Sequence, residues 1–338
     1  MTIDTNSSPN ERPPSLEELD PSDSACAAMQ RCYWIAGRAA MAAINVLIVG
    51  ETGVGKELLA SFIHQRSRQK QGPLIAINCA GLCENLATSE LFGHEKGAYT
   101  GAVGARVGLL EAANGGTVFL DEIGEMPLSL QATLLRSIET RTVMPVGGHR
   151  PRSLDVRFVA ATNRDLALEV KAGRFREDLY YRLDGITIEL PALRDRLEDM
   201  PGLARRIIAE LCLEDDRSEP KLTQEAYMAL GAHKWPGNIR ELKNLLRRAL
   251  LFSDGGQIRP EHLELRTSPT AISRFTAATV TDDGRQRIID ALLQCGWNQG
   301  RAARLLGISR RTLIERLKRY DIPRPQRRQP ESPSISTN

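Results

Sequence analysis

Long apolar segments are lacking in this chain of 338 residues. No apolar run reaches the roughly eighteen to twenty residues that a transmembrane helix needs, so no membrane span is expected. The first residues are polar and acidic, unlike the basic and then apolar start of a secretory signal peptide. These two absences favour a cytoplasmic protein, and the length is enough for about two domains.

Cysteine patterns that bind metal or form disulfide frameworks are lacking as well. No two cysteines have the spacing C-x-x-C, and no cysteine cluster is joined by histidines. A zinc site is therefore not expected, and the thiols are expected to be reduced. Internal repeats are also absent. The six cysteines are scattered along the chain, at Cys26, Cys32, Cys79, Cys83, Cys212 and Cys295.

The most informative feature that is present is a glycine-rich loop. Residues 45–49 predict a buried strand and residues 57–63 a helix. In that context the loop is a P-loop, whose backbone N–H groups surround phosphate oxygens at a helix N-terminus. The last residue, a lysine, is expected to lie against the β- and γ-phosphates, whereas a purely structural glycine turn is the alternative. The loop consists of Gly50, Glu51, Thr52, Gly53, Val54, Gly55 and Lys56.

One position departs from the P-loop pattern. A serine or threonine normally follows the lysine and holds Mg²⁺, but here the residue is Glu57. Either the Glu57 carboxylate contributes through a water molecule, or the metal relies on carboxylates elsewhere in the chain.

Suitable carboxylates follow a second apolar run. Residues 113–122 predict a strand that ends in Asp121 and Glu122. The carboxyl edge of a parallel sheet is where ligands of such folds bind. Asp121 is expected to hold Mg²⁺, directly or through water, and Glu122 to polarise an attacking water. A solvated acidic turn is the alternative, but the P-loop upstream favours nucleotide hydrolysis.

Two further stretches fit nucleotide hydrolysis. Residues 154–163 predict a strand that ends in Asn163, which is expected to reach the γ-phosphate or its water, although a strand-end asparagine is also a common turn former. Residues 174–183 predict a helix that carries Arg176 and Arg182. Arginines projected into a neighbouring subunit's site would stabilise charge on the transferring phosphoryl group, and a solvated helix surface is the alternative.

A hexapeptide between the P-loop and the acidic strand suggests a family. It resembles the GAFTGA loop of the AAA+ bacterial enhancer-binding proteins, the ATP-driven activators of sigma-54 RNA polymerase, with tyrosine in place of phenylalanine. By residue type alone it is a loop of small residues with one aromatic tip, suited to touching a partner or to forming a flexible surface loop. The resemblance extends over about residues 22–265. The hexapeptide is Gly97, Ala98, Tyr99, Thr100, Gly101 and Ala102.

The resemblance implies an α/β P-loop NTPase with a parallel sheet and a helical lid. In this family Glu57 is a familiar departure, and Asp121 and Glu122 match the Walker B acids. Asn78 matches a residue that links the nucleotide state to the Walker B glutamate. Thr162 and Asn163 match sensor I.

Three arginines and the hexapeptide complete what the resemblance implies. Arg176 and Arg182 match trans-acting arginine fingers, and Arg240 matches sensor II of the lid. The hexapeptide would contact sigma-54, and Tyr99 keeps an aromatic ring there while adding a hydroxyl. The implied cofactors are ATP and Mg²⁺, and the implied assembly proceeds from a dimer to a hexameric ring.

The C-terminal region is strongly basic. Between residues 285 and 328 only Asp290, Glu315 and Asp321 oppose a cluster of bases, which suits salt-sensitive binding of nucleic acid. The bases are Arg285, Arg287, Arg301, Arg304, Arg310, Arg311, Arg316, Lys318, Arg319, Arg324, Arg327 and Arg328.

Apolar spacing in this region predicts three helices, over residues 285–294, 299–306 and 310–320. The last two, joined by a turn with glycine, form a helix-turn-helix that resembles the Fis-type domain of many enhancer-binding proteins. A plain three-helix bundle for dimerisation is the alternative, and both can hold. The expected partner is double-stranded DNA upstream of a promoter, contacted by Ser309, Arg310, Arg311, Thr312 and Glu315.

Composition predicts the domain limits. The segments are a disordered N-terminus (1–21), the AAA+ α/β subdomain (22–190), the helical lid (191–265), a linker (266–282), the Fis-type domain (283–322) and a disordered tail (323–338).

Regulation and rival functions remain open at this level. Many relatives place a receiver or ligand-sensing domain before the ATPase, whereas here only about twenty residues precede it. Control by a regulatory protein or co-activator in trans, or simply by the level of expression, is therefore expected. The predicted action is remodelling of the closed promoter complex of sigma-54 polymerase by a nucleoid-associated activator. A DNA-binding repressor that uses nucleotide only for assembly, and an unfoldase or helicase, are the rivals.

Overall fold

The computed structural model describes residues 24–265, apart from positions 83, 100–101, 216 and 254–255. Beyond these it describes the separate positions 291, 292, 295, 299, 302, 313 and 317. The chain divides into two compact units, Met1–Leu265 and Arg266–Asn338.

Helices and strands alternate through the first part of the first unit, as a parallel sheet requires. In chain order they are α1 (Ala27–Met41), β1 (Val46–Val49), α2 (Lys56–Gln65), β2 (Leu74–Asn78), α3 (Glu84–Phe92), α4 (Leu109–Ala112), β3 (Thr117–Asp121), α5 (Leu128–Thr140), β4 (Thr142–Val143), β5 (Arg152–Ser153), β6 (Arg157–Thr162), α6 (Leu166–Lys171), α7 (Glu177–Leu183) and β7 (Ile186–Glu189).

A mainly helical lid follows. Two 3₁₀ turns, Leu193–Asp195 and Leu197–Asp199, lead into α8 (Met200–Glu214), β8 (Lys221–Leu222), α9 (Gln224–Ala232), α10 (Asn238–Phe252) and β9 (Gln257–Ile258). Its core closes around Trp235, which is fully buried and donates its indole N–H to the Leu230 carbonyl at 2.9 Å. The expected parallel sheet with a helical lid is confirmed.

The central sheet has five parallel strands in the order β2-β3-β6-β1-β7. Alternate side chains of each strand enter separate apolar clusters on the two faces, because a strand has a period of two. On β6, Phe158 and Ala160 face one cluster, while Val159 and Ala161 face the cluster that α1 and α2 cover. Burial on both faces explains why these strands are nearly continuous apolar runs in the sequence.

Several predicted elements are shorter than expected. The strand expected over residues 154–163 spans only Arg157–Thr162, so Asn163 follows it. Residues 113–116 precede β3 as a turn, because Gly115 has a left-handed φ of 77° and interrupts the extended chain. The helix expected over residues 174–183 begins only at Glu177. Arg176 is its N-cap residue with extended backbone angles, so Arg176 and Arg182 do not lie on one helix as predicted.

Only separate positions of the second unit are described. Ala291, Leu292, Gln299, Ala302, Leu313 and Leu317 are all helical, and they fall within the three predicted helices. Ala291, Leu292, Ala302 and Leu313 are buried. The predicted DNA contacts, residues 309–312 and 315, lie outside the described residues, as do the predicted disordered ends.

Candidate active site

The P-loop connects β1 to α2 at the carboxyl edge of the sheet. Gly53 and Gly55 have φ angles of 79° and 106°, which side chains rarely adopt, so glycine is required at both turns. Lys56, the first residue of α2, is buried. Its ammonium donates to the Gly50 carbonyl at 3.0 Å and to Glu122 Oε1 at 3.3 Å. A cation thus lies within a loop whose N–H groups and helix N-terminus favour an anion.

Glu122 lies directly after β3 and adopts a left-handed conformation with φ 50° and ψ 49°. Such a conformation costs a non-glycine residue about 1–3 kcal/mol and persists only where the surroundings enforce it. The backbone N–H of Glu122 donates to Asp121 Oδ1 at 3.1 Å. The Oε2 oxygen of Glu122 accepts from the Asn163 N–H at 3.2 Å. The carboxylate is therefore held by two groups, the Lys56 ammonium from the P-loop after β1 and the Asn163 N–H after β6.

Asn163 follows β6 and faces the same loop. Its side-chain amide donates to Thr52 Oγ1 at 3.0 Å, which spans the edge from β6 to the P-loop. Asn78 ends β2 directly opposite Asp121 on β3. The Asn78 side chain caps the following 3₁₀ turn by accepting from the Ala80 N–H at 3.0 Å.

Burial and like charge act on Asp121. Burial raises the pKa of this carboxyl above its usual value, the neighbouring Glu122 raises it further, and Lys56 opposes both effects. Among the described residues no three His, Cys, Asp or Glu side chains form a metal-binding group. A divalent cation at Asp121 would therefore complete its coordination with water and phosphate oxygens, as Mg²⁺ commonly does.

The lid contacts the outer side of the P-loop. Arg240 lies in the first turn of α10, and a Cβ added to Gly53 would lie 3.1 Å from the Arg240 Cβ. Glu51 turns its carboxylate away toward the lid, where Arg194 donates to both oxygens at 2.9 and 2.6 Å. Arg194 and Asn238 lower the pKa of Glu51 to about 2 through their hydrogen bonds.

A pocket beside the P-loop was missed by sequence reasoning. It lies between α1, the P-loop and the lid. Its apolar lining includes Met29, Tyr33, Leu58, Leu203 and Ile239. No local signal marks these residues, because they come from elements far apart in the sequence and resemble ordinary core positions. Arrangements of this kind suit a flat apolar ring.

Arg176 and Arg182 are not part of this arrangement. Both are exposed, and the Arg176 guanidinium pairs with Asp178 in the first turn of α7 at 2.6 Å. Glu57, also exposed, points from the first turn of α2. The described contacts therefore bring together Lys56, Glu122, Asn163 and Thr52, with Asp121 and Asn78 adjacent. Arg240 lies against the outer side of the loop, and Arg176 and Arg182 lie outside the arrangement.

The Tyr99 loop lies between α3 and α4. Its base closes where the Ala102 N–H donates to the Tyr99 carbonyl and the Gly97 N–H to the Ala102 carbonyl, both at 3.0 Å. Tyr99 is 42% exposed, and its ring packs edge-on against His94 at 5.2 Å between centroids. His94 is buried and hydrogen-bonded to Ser89 at 2.6 Å. Thr100 and Gly101 lie outside the described residues.

The β4–β5 hairpin supports the Tyr99 loop. Arg152 on β5 binds Glu95 and Glu111 at 2.7 Å each, which joins the hairpin β4–β5 to both ends of the Tyr99 loop. Gly147 at the hairpin tip packs against Ala98 so closely that an added Cβ would lie 2.9 Å from its Cβ. Near the aromatic tip, Val103 is 86% exposed. A partly exposed aromatic and an exposed valine on an anchored loop form a surface suited to a protein partner.

Three family models match consecutive stretches of the chain. Residues 24–189 match the sigma-54 interaction domain, residues 194–279 an AAA+ ATPase lid domain, and residues 285–320 the Fis family of bacterial regulatory proteins. The last match agrees with the predicted helix-turn-helix.

Individual relatives agree with these matches. The chain is 42% identical to the transcriptional regulatory protein FlbD of Caulobacter vibrioides over 88% of its own length, and 46% identical to the regulatory protein AtoC of Escherichia coli over 84%. It is 45% identical to a Nif-specific regulatory protein of Azotobacter vinelandii over 82%. The chain spans 71%, 64% and 54% of the lengths of these three relatives, respectively.

Solved structures show the same fold. NtrX from Brucella abortus in complex with ADP superimposes with a TM-score of 0.67 at 30% identity, over 90% of this chain and 69% of that one. The NtrX complex with ATP gives a TM-score of 0.68, also at 30% identity, over 90% of this chain and 69% of that one.

Proposed function

We propose that this chain, which belongs to the sigma-54 interaction family of AAA+ ATPases, hydrolyses ATP to activate transcription by sigma-54 RNA polymerase. One observation carries the proposal. The Lys56 ammonium, the Glu122 carboxylate and the Asn163 N–H meet within hydrogen-bonding distance at the carboxyl edge of the sheet. In a member of this family, this convergence supplies a hydrolytic site. The exposed Tyr99 loop supplies a contact for the polymerase.

The residues divide the chemistry among themselves. Lys56 binds the terminal phosphates, and a bound γ-phosphate competes with Glu122 for the ammonium. Glu122, once released from Lys56, accepts a proton from the attacking water. Asn163 holds the Glu122 carboxylate from the side and orients that water through its amide. The pocket around Tyr33 and Leu58 encloses the base of ATP.

Mg²⁺ fits the acidic end of β3. Asp121 would hold the ion, which would supply positive charge to neutralise the charge that develops in the transition state. The raised pKa of Asp121 supports this assignment, because a carboxylate that is buried beside another acid gains from a cation. Asp121 then orients the metal from the strand end next to Glu122.

Asp121→Asn is expected to have opposite effects on stability and activity. Since the folded-state pKa of Asp121 is raised, its ionised form is disfavoured in the folded protein above the unfolded pKa, and the amide removes that cost. The melting temperature without nucleotide should therefore rise at pH 8 and change less near pH 4. Mg²⁺-dependent hydrolysis should be lost. Thermal unfolding at both pH values, with Asp155→Asn at an exposed position as control, measures this, and a fall in melting temperature at pH 8 would contradict it.

Hydrolysis takes place between subunits of a ring, a hexamer in this proposal. Arg176 and Arg182 support this assembly because both are exposed and neither has a described contact with Lys56 or Glu122. In the ring they enter the neighbouring subunit's site and stabilise charge on the transferring phosphoryl group. Arg176 first has to leave Asp178, an exposed pairing that costs little to break.

Replacement of Arg176 or Arg182 by alanine is expected to lower the ATPase rate by about 10³-fold. Mixing either variant with Lys56→Ala should restore part of the activity, because some interfaces then combine an intact site with an intact arginine. Arg174→Ala, which removes an exposed guanidinium paired with Glu169, is the control and should hydrolyse ATP normally. If mixing restores nothing, the arginines do not act in trans.

The Tyr99 loop transmits the result of hydrolysis. Glu122 leads into the 3₁₀ turn Ile123–Glu125, and Asn78, opposite Asp121, leads into the turn that precedes α3 and the loop. Changes at the phosphates therefore have a short path to the base of the loop. In this proposal the movement remodels the closed promoter complex of sigma-54 polymerase.

DNA binding recruits the ring to its promoter. The helix-turn-helix, with Ser309, Arg310, Arg311, Thr312 and Glu315 as its proposed contacts, binds paired upstream half-sites as a dimer. Transcription in a purified system tests the function as a whole. ATP-dependent activation of a sigma-54 promoter, without activation of a sigma-70 promoter, is the expected result, and activation of neither would contradict the proposal.

A further inference from the structure

The outer side of the P-loop is hydrogen-bonded to the lid at four successive residues, 51–54. Three successive carbonyls of the loop accept hydrogen bonds from lid residues. Thr52 O accepts from the Asn238 amide at 3.1 Å, Gly53 O from the Ile239 N–H at 2.9 Å, and Val54 O from Arg196 at 2.6 Å. These hydrogen bonds from the lid therefore fix the orientation of the loop.

Glu51 is the only side chain of the loop that reaches the lid by ionic contact, among the described ion pairs. Its carboxylate accepts two hydrogen bonds from Arg194 and a third from the Asn238 amide at 3.0 Å. Although Glu51 belongs to the phosphate-binding motif, its carboxylate points toward the lid. Glu51 is therefore poorly placed to bind a phosphate and well placed to hold the lid.

Asn238 is the centre of the arrangement. It is fully buried, and its φ of 51° places it in the left-handed region that a side chain rarely adopts. Its side-chain oxygen Oδ1 accepts from the Leu193 N–H at 2.8 Å, while its side-chain NH₂ group donates to Glu51 and to the Thr52 carbonyl. One side chain thus joins the P-loop, the start of the lid and the first turn of α10.

Close packing holds the P-loop against the start of α10. A Cβ on Gly53 would lie 2.6 Å from the Gly237 carbonyl, so the loop and the residue before α10 touch directly. Arg240 comes two residues after Asn238, at a Cβ distance of 3.1 Å from the same added Cβ. The position of Arg240 therefore depends on how Asn238 is held.

We propose that Glu51 and Asn238 are positioning residues that set Arg240 against the nucleotide phosphates and so couple nucleotide binding to the lid. The inference rests on the proposed ATPase function and deepens it. Arg194 orients the Glu51 carboxylate, and neither Glu51 nor Asn238 touches the nucleotide. A bound phosphate that attracts Arg240 pulls on the same first turn of α10 that Glu51 holds.

A purely stabilising ion pair is the competing explanation. The Glu51 and Arg194 side chains are each 44% exposed, and exposed pairs of this kind contribute little to stability. The lid offers a matched pair in Glu214 and Arg247, which are joined at 2.9 Å with exposures of 48% and 53% and lie between α8 and α10. Removing either carboxylate should affect folding about equally, so a difference in nucleotide binding isolates the positioning role.

The test is a mutant cycle between Glu51 and Arg240, measured on the full chain with ATP and Mg²⁺. Glu51→Gln is expected to raise the KM for ATP about tenfold with a smaller change in kcat, whereas Glu214→Gln leaves both unchanged. In an Arg240→Ala background, Glu51→Gln should add less than about twofold, because the residue that it positions is gone. Asn238→Ala should follow the same pattern.

Other outcomes separate the two levels of the account. Equal effects of Glu51→Gln with and without Arg240 would overturn the positioning role, because independent sites add. No effect of Glu51→Gln on KM would overturn it as well. If the unaltered chain hydrolyses no ATP under conditions in which it forms rings, the proposed function itself fails.

Discussion

Glu122→Gln is expected to lower the ATPase rate by about 10²–10⁴-fold, the range that removal of a positioned general base produces. Glutamine keeps the size of the side chain and an oxygen that can accept from the Asn163 N–H. It cannot accept the proton of the attacking water, and it no longer pairs ionically with Lys56. ATP binding should therefore persist or become tighter, because phosphate charge no longer faces a carboxylate.

Steady-state hydrolysis and the Kd of a fluorescent ATP analogue measure these two effects separately. Glu125→Gln is a matched control, since Glu125 belongs to the same turn but pairs with Arg164 at the surface. It should hydrolyse ATP at the rate of the unaltered chain. A Glu122→Gln variant that retained hydrolysis would place the base elsewhere, whereas a variant that lost binding as well would point to a collapsed site.

Tyr99→Ala is expected to separate hydrolysis from transcription. The Tyr99 ring packs on His94 at the base of the loop, away from Lys56 and Glu122, so the ATPase rate should stay within about twofold of the unaltered value. Promoter opening should fall by about 30-fold or more, because an aromatic anchor at an interface contributes about 2 kcal/mol or more.

Tyr99→Phe is the control for this prediction. It keeps the ring and its edge-on contact with His94, and it restores the residue typical of the resembling family, so promoter opening should be retained. Opening that survives the loss of the ring in Tyr99→Ala would show that another surface, such as the exposed Val103, makes the contact.

Sequence patterns predicted the backbone of the site well because its parts are local. Lys56 begins α2, Asp121 ends β3 and Asn163 follows β6. The apolar runs of these elements are visible in the sequence, and the carboxyl ends of parallel strands meet at one edge. Asn78 and Asp121 are 43 residues apart, yet the sheet order places them opposite each other. The sequence alone had implied a role for Asn78 only through the resemblance to the family, since no strand ending there was predicted from the residues.

The direction of side chains was less predictable. Glu51 belongs to the phosphate-binding motif by position, yet its carboxylate binds Arg194, which is 143 residues away from Glu51 in the sequence. Tyr33 of α1 lines the pocket beside the loop. Arg176 is the N-cap of α7, whereas the sequence pattern placed it inside a helix. Contacts between remote segments and the exact start of a short helix depend on tertiary packing, which no local pattern records.

Formation of open complexes by sigma-54 polymerase on a double-stranded promoter tests the central claim most directly. The unaltered chain with hydrolysable ATP should open the promoter, and it should not do so with a non-hydrolysable analogue. Glu122→Gln and Tyr99→Ala should both fail, the first without hydrolysis and the second with it. Normal ATP hydrolysis by the unaltered chain without opening of any sigma-54 promoter that it binds would contradict the account.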